Sequence, residues 1–361
     1  MTEKPYLVTG KRQYIQQRQL STNVPFVADI LKHRSLSIVG LEKNTGKTVC
    51  LNYVLGRLNE MGIRTAVTSI GVDGEQTDSV YATAKPEITL YEGMRFITSE
   101  KHYLQRQLIS QIIAVDEQRT SLGHLVTADV LHQGKVLLSG AAATEKLKRQ
   151  IADCIADGIS LTVIDGALSR LSLASPTVTD SMILATGAAV SPNLQQLISK
   201  TKFYYKLINL EEIDSQLQIR LEPLNSGLWA VDDDGKEHDL GIASAFLLGT
   251  KEINLFAFGN TLYAAGAVSD RLLKQLSAQT TGKGITLIVR DFTKLFITQE
   301  AYANFVRKGG NILVLRKSKL IAICLNPTSP QGFLLDSERA CGALSEALGI
   351  PVYDVMKVPE A

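Results

Sequence analysis

The sequence predicts an α/β protein in which a mostly parallel sheet carries a phosphate-binding loop and a second, smaller α/β domain follows. Three observations carry this. Short apolar runs alternate with amphipathic segments along most of the chain. The stretch "SLSIVGLEKNTGKTVCLNYVLGRL", from Ser35 to Leu58, reads as strand, glycine-bounded loop and helix. A length of 361 residues exceeds what one hydrophobic core usually supports.

Taken in order, the first strand is the apolar run through Leu36, Ile38 and Val39, and it stops at Gly40. The helix is expected over Thr48 to Leu58, where Leu51, Val54, Leu55 and Leu58 share one face. Gly62 ends it, and "TAVTSI" is the next strand. Between residues 86 and 113, "ITLYEGMRFIT" reads as extended, while "YLQRQLISQII" fits strand or helix. "KVLLSG", "ATEKLKRQIADCIADG" and "LTVIDG" read as strand, helix and strand, a unit that crosses over right-handed within a parallel sheet. "SMILAT", "SPNLQQLISK" and "FYYKLI" continue the alternation.

A polar stretch around Trp229 follows, and the turn at Asp234-Gly235 belongs to a short hairpin or linker. A second rhythm then begins with "INLFAF", "TLYAAG", the helix "SDRLLKQLSAQ" and "ITLIV". "TQEAYANFVRKGG" is a helix closed by glycine, and "NILVLR" and "LIAICL" are strands. "DSERACGALSEALG" is the last helix, before "PVYDVM". The boundary is placed near residue 240. Residues 1–240 are expected to form the first domain, which carries the loop and an N-terminal extension, and residues 241–361 the second α/β domain.

Composition narrows the classes. With 38 basic and 36 acidic residues, a net charge of +2 gives no reason to expect nucleic acid. No apolar run approaches the roughly 20 residues of a membrane helix, and the polar start "KRQYIQQRQ" is not a secretory signal. Cys50, Cys154, Cys324 and Cys341 lie far apart without C-x-x-C spacing, which predicts reduced, mostly buried thiols in a cytoplasmic protein. His33, His102, His124, His132 and His238 show no metal-pair spacing and are expected to be structural or solvated.

The loop carries the chemistry. A phosphate loop works because consecutive backbone N–H groups turn around anionic oxygens while the next helix points its positive end at them. Gly40, Asn44, Thr45, Gly46, Lys47 and Thr48 are expected to bind the nucleotide. Lys47 would reach the β- and γ-phosphates, and Thr48 would hold Mg²⁺ through its hydroxyl. Five residues separate Gly40 from Gly46, where the common G-x-x-x-x-G-K-[ST] pattern has four.

Carboxylates must complete a magnesium site. Asp165 in "LTVIDGALSR" ends an apolar strand, as a Walker B acid does, although Asp-Gly also suits a plain turn. Asp73, with Glu75 and Asp78 in "TSIGVDGEQTD", is either a catalytic acid that binds magnesium or positions water, or a solvated loop residue. Ser69, Thr77, Arg170 and Asp180 are weaker candidates for the cleft.

The loop spacing resembles that of dethiobiotin synthetase-like proteins, within the SIMIBI class of P-loop proteins that also holds the signal-recognition and MinD families. Gly40, Gly46, Lys47 and Thr48 match that pattern. The lysine that marks the MinD branch would fall at residue 42, which is Glu42 here. More narrowly, "GLEKNTGKT", "SIGVDGE", "VIDGALSR" and "GIPVYDV" resemble the P-loop subunit of the reactivase for adenosylcobalamin-dependent lysine 5,6-aminomutase. That resemblance implies ATP and Mg²⁺ as cofactors, with the aminomutase and a MutS-like ATPase as partners in lysine fermentation. It leaves ATP hydrolysis and a homodimer open. The absence of N-K-x-D favours ATP over GTP. No D-x-H-x-x-G segment supports direct cobalamin ligation. A dethiobiotin synthetase-like metabolic enzyme and a nucleotide-binding module without hydrolysis are the competing expectations.

Overall fold

A computed structural model describes residues 25–70, 87–141, 143–167, 175–245, 254–278 and 284–358. A short helix α1 (Val27–Ile30) leads into β1 (Ser35–Gly40), which is buried along its whole length. Helix α2 (Lys47–Glu60) follows and buries Cys50, Leu51, Val54, Leu55 and Leu58, the face the apolar spacing predicts. It ends through Met61 and Gly62, whose φ of 65° is the left-handed conformation that closes helices. Strand β2 (Thr65–Ser69) comes next. "ITLYEGMRFIT" is extended, as expected, but broken by a turn into β3 (Ile88–Leu90) and β4 (Arg95–Ser99).

The ambiguous segment "YLQRQLISQII" is both things in turn. Helix α3 (Glu100–Leu104) is capped by Ser99 Oγ, and β5 (Gln107–Thr120) then pairs with β6 (Gly123–Val136) in a long hairpin. Its outer strand exposes Ile109, Ile112, Ile113 and Val115. Helix α4 (Thr144–Ala156), β7 (Leu161–Ala167) and β8 (Ser181–Gly187) follow. "KVLLSG" is not a separate strand. β6 ends at Val136 and runs antiparallel to β4, so the unit expected around α4 is not a simple parallel crossover.

Helix α5 (Leu194–Ile208) absorbs "FYYKLI", where the alternation called for a strand. Helix α6 (Ser215–Leu221) is capped by Asp214. The polar stretch around Trp229 is the hairpin of β9 (Leu228–Val231) and β10 (Glu237–Ile242). In "INLFAF", the described residues from Asn254 onward are turns, not a strand. The rest of the second rhythm is present. It comprises β11 (Thr261–Ala264), β12 (Val268–Ser269), α7 (Asp270–Ala278), β13 (Ile285–Val289), β14 (Leu295–Phe296), α8 (Gln299–Arg307) and β15 (Gly310–Val314). The chain closes with β16 (Leu320–Asn326), α9 (Ser337–Leu348) and β17 (Val352–Tyr353).

Two compact units result, and they do not divide at residue 240. One takes Met1–Leu173, Val178–Leu197 and Leu320–Ala361, and the other takes Ala174–Thr177 and Ile198–Lys319. The reason is strand pairing: β16 lies parallel beside β8, with Cys324 opposite Ala185, so the C-terminal strands complete the first sheet. That ten-stranded sheet has the order β17-β16-β8-β1-β7-β2-β4-β6-β3, with β5 outside β6. It is parallel from β17 to β4 and antiparallel beyond.

Alternate residues of its strands face opposite layers. Leu36, Val67, Phe96 and Val163 pack with α2, while Ala66, Ile97 and Ile164 pack with Leu147 and Ile151 of α4. The second unit holds a five-stranded sheet, β10-β9-β11-β13-β15, over a core that includes Leu221, Tyr263 and Ile288. Among the described residues, no helix is long and apolar enough to cross a membrane.

Candidate functional site

The site is built where β1 stops. At Gly40 an added Cβ would overlap the Thr45 hydroxyl and stand 2.8 Å from Lys47 Cγ, so the returning loop needs a bare backbone there. The loop is tied down at both ends. Leu41 N–H donates to Ala185 O of β8 at 2.9 Å, and the buried Thr45 hydroxyl donates to Glu42 O at 3.0 Å.

Two residues turn the chain. Asn44 has φ 62° and Gly46 has φ 85°, both left-handed, which suits asparagine and glycine. Gly46 is then the N-cap of α2, with no side-chain cap and no acidic residue in the first turn. A 14-residue helix therefore presents its first N–H groups and the positive end of its dipole without an intrinsic counter-charge.

Lys47 and Thr48 occupy the first turn of α2. Asp165 comes from β7, the neighbour of β1, where the register sets Ile38 beside Asp165. Lys47 Nζ lies 3.9 Å from Asp165 Oδ1, and each side chain is about one-fifth exposed (21% and 22%). At that separation and exposure the pair is worth about 1 kcal/mol or less. The ammonium is thus held near the carboxylate without being committed to it.

Ser69, on β2, sits opposite Asp165 and donates its hydroxyl to Asp165 O at 3.2 Å. Gly40, Asn44, Thr45, Gly46, Lys47, Thr48, Asp165 and Ser69 therefore share the C-terminal end of the parallel strands, where ligands of open α/β sheets bind.

Asp180 does not join them. Its carboxylate accepts the N–H groups of Arg34 and Ser35, at the opposite end of β1, so it anchors the strand start and not the cleft. Asp73, Glu75, Thr77, Asp78 and Arg170 lie outside the described residues. Among the described residues no cluster of three metal-ligating side chains occurs. Of the histidines, His102 meets the buried Ser139 hydroxyl at 3.0 Å, His238 pairs with Asp232 at 2.7 Å, and His132 is exposed. All four cysteines are free thiols, with Cys341 the only one not fully buried.

One residue escaped the sequence reading. Asn326, at the end of β16, donates Nδ2–H to Asn44 O at 3.3 Å and packs against Gly46. Two residues earlier, Cys324 accepts a weak hydrogen bond from Cys50 of α2, with the sulfurs 3.4 Å apart. That hydrogen bond, and burial next, raise the Cys324 pKa well above the usual thiol range. The only local signal was an asparagine before proline at the end of an apolar run, which reads as an ordinary turn.

Comparison with protein-family models, with curated proteins and with solved structures finds no match to this chain.

Proposed function

We propose that the chain is a P-loop protein that binds ATP with Mg²⁺ and serves in a reactivation factor for an adenosylcobalamin-dependent aminomutase. One observation carries the nucleotide reading: Gly40, the left-handed Gly46 and the uncapped start of α2 stand at the strand end that brings Lys47 to 3.9 Å from Asp165. The fit follows from donor chemistry. Backbone N–H groups and one ammonium suit phosphate oxygens, and a side chain at Gly40 would collide with Thr45 and Lys47, one at Gly46 with Asn326, so either would distort the loop that presents them.

In this reading Lys47 serves the phosphates, while Thr48 and Asp165 hold the magnesium shell, with Asp73 as the further acid. The bound nucleotide supplies a cleavable phosphoanhydride, which can drive a change of affinity for a partner protein. The partners, the aminomutase and a MutS-like ATPase, and a cytoplasmic setting rest on the resemblance of the four quoted segments.

The test is calorimetric titration with Mg-ATP and Mg-GTP, beside a phosphate-release assay. Lys47→Ala should weaken Mg-ATP binding by more than about tenfold while leaving the melting temperature without nucleotide unchanged, because Lys47 serves the ligand and not the core. Equal affinity in that variant would refute the site. Slow hydrolysis that rises when both protein partners are added supports the reactivase role. Turnover of a small acid without protein partners would replace it with a dethiobiotin synthetase-like enzyme. Nucleotide-dependent stabilisation with background phosphate release throughout would replace it with a binding module.

A further inference from the structure

Loop 41–46 is held by its own Thr45–Glu42 bond and by contacts from outside it. Two of its residues are left-handed, and one of these, Asn44, is not glycine. Glycine takes that conformation freely, but Asn44 carries a Cβ and holds it at a modest cost. A contact from outside the loop opposes relaxation at Asn44.

The structure supplies it from the far end of the chain. Asn326, 282 residues beyond Asn44 in sequence, donates Nδ2–H to the Asn44 carbonyl. Its amide is fixed in that sense because Oδ1 accepts the N–H of Thr328 at 3.2 Å, which leaves the NH₂ end for the loop. Its Cβ fills the space beside Gly46, where an added Cβ would lie only 2.7 Å away. Its backbone is seated in turn: Asn326 O accepts Ala188 N–H at 2.9 Å, and Gly187 lacks the side chain that would collide with that carbonyl. The Cys50–Cys324 contact joins the same strand to the first turn of α2. β8 and β16 thus form a platform whose last residue presses on the turn preceding Lys47.

We infer that Asn326 is a positioning residue for the β1–α2 loop, holding Asn44 and Gly46 in their left-handed geometry. This rests on the phosphate reading of the loop. Each end of the Asn326 amide bonds to protein backbone, so the side chain is held against the loop.

Two variants and two readouts test it. Asn326→Ala removes the side-chain bonds. Asn326→Asp keeps the volume and the acceptor for Thr328 but cannot donate to Asn44. Amide hydrogen exchange, measured without nucleotide, should accelerate about tenfold or more in residues 41–48 of both variants, the loss expected from one hydrogen bond that restrains strained backbone. The remaining sheet amides should keep the wild-type pattern, and the global melting temperature should move by less than about 3 °C. Mg-ATP affinity of Asn326→Ala should fall about tenfold.

Unchanged exchange in residues 41–48 overturns the inference, even if the wild type binds nucleotide well. Acceleration spread evenly over the sheet overturns it too, because that is what a merely structural residue would give. Wild-type protein that binds neither Mg-ATP nor Mg-GTP refutes the phosphate reading instead. The exchange arm needs no ligand and still decides whether Asn326 braces the loop.

Discussion

Gly46 can be tested against Gly62, because α2 has a left-handed glycine at each end and only one of them is crowded. At Gly62, φ is 65° and nothing lies within 4 Å of an added Cβ. Gly62→Ala therefore isolates the backbone cost of a left-handed alanine, about 1–2 kcal/mol. At Gly46, φ is 85° and the added Cβ would stand 2.7 Å from Asn326 Cβ, a contact with a side-chain root that cannot rotate away. Overpacking of that kind adds about 1–3 kcal/mol, so Gly46→Ala should cost about 2–5 kcal/mol in all.

Urea unfolding followed by far-UV circular dichroism measures both substitutions. The single tryptophan, Trp229, lies in the second unit, so its fluorescence follows a part of the chain that neither substitution touches. Gly46→Ala should lower the dichroism midpoint clearly more than Gly62→Ala. Equal midpoints for the two variants would refute the claim that Asn326 and Gly46 are in close packing, and with it the argument that β16 shapes the loop.

Two further outcomes follow from ionisable groups. Burial tends to raise the Asp116 pKa, but hydrogen bonds from Lys146 Nζ (2.7 Å) and from the Gln118 N–H (2.8 Å) outweigh it, so the pKa lies below the usual carboxylate value. A depressed folded-state pKa contributes stability above the unfolded pKa of about 3.9 and loses it as pH falls through the lower folded value. Lys146→Met should therefore raise the Asp116 midpoint in a carboxyl NMR titration and reduce stability at neutral pH, with the difference from wild type vanishing in acid. In a thiol-labelling time course on native protein at pH 8, Cys341 should react first. Cys50, Cys154 and Cys324 are buried, and burial pushes the Cys154 pKa up to about 11. Simultaneous labelling of all four would contradict that burial.

The first strand and α2 were legible because both periodicities are clean there, and α2 buries the residues its spacing singled out. Loop residues Gly40 to Thr48 were legible as a group because they are contiguous. Asp165 was singled out by its place at the end of an apolar run, and the pairing of β7 with β1 puts it 3.9 Å from Lys47. Strand order was not legible. "LIAICL" looks the same whether it adds to one sheet or another, and only pairing with β8 assigns it to the first. "FYYKLI" misled because aromatic and branched residues favour strands in isolation, while its neighbours already committed the segment to α5. Asn326 was out of reach for the same reason as β16, since its role depends on which strand lies next to which.

The excursion of the chain through Ile198–Lys319 before β16 bears on how the protein is made. During translation β8 emerges long before its partner strand, and at about 5–20 residues per second the ribosome needs on the order of ten seconds to deliver it. Throughout that interval the nascent sheet has an open hydrogen-bonding edge at β8, and the turn before Lys47 waits for its clamp. The Asn326 contact to the loop would thus form late in synthesis, after the inserted unit has had time to fold.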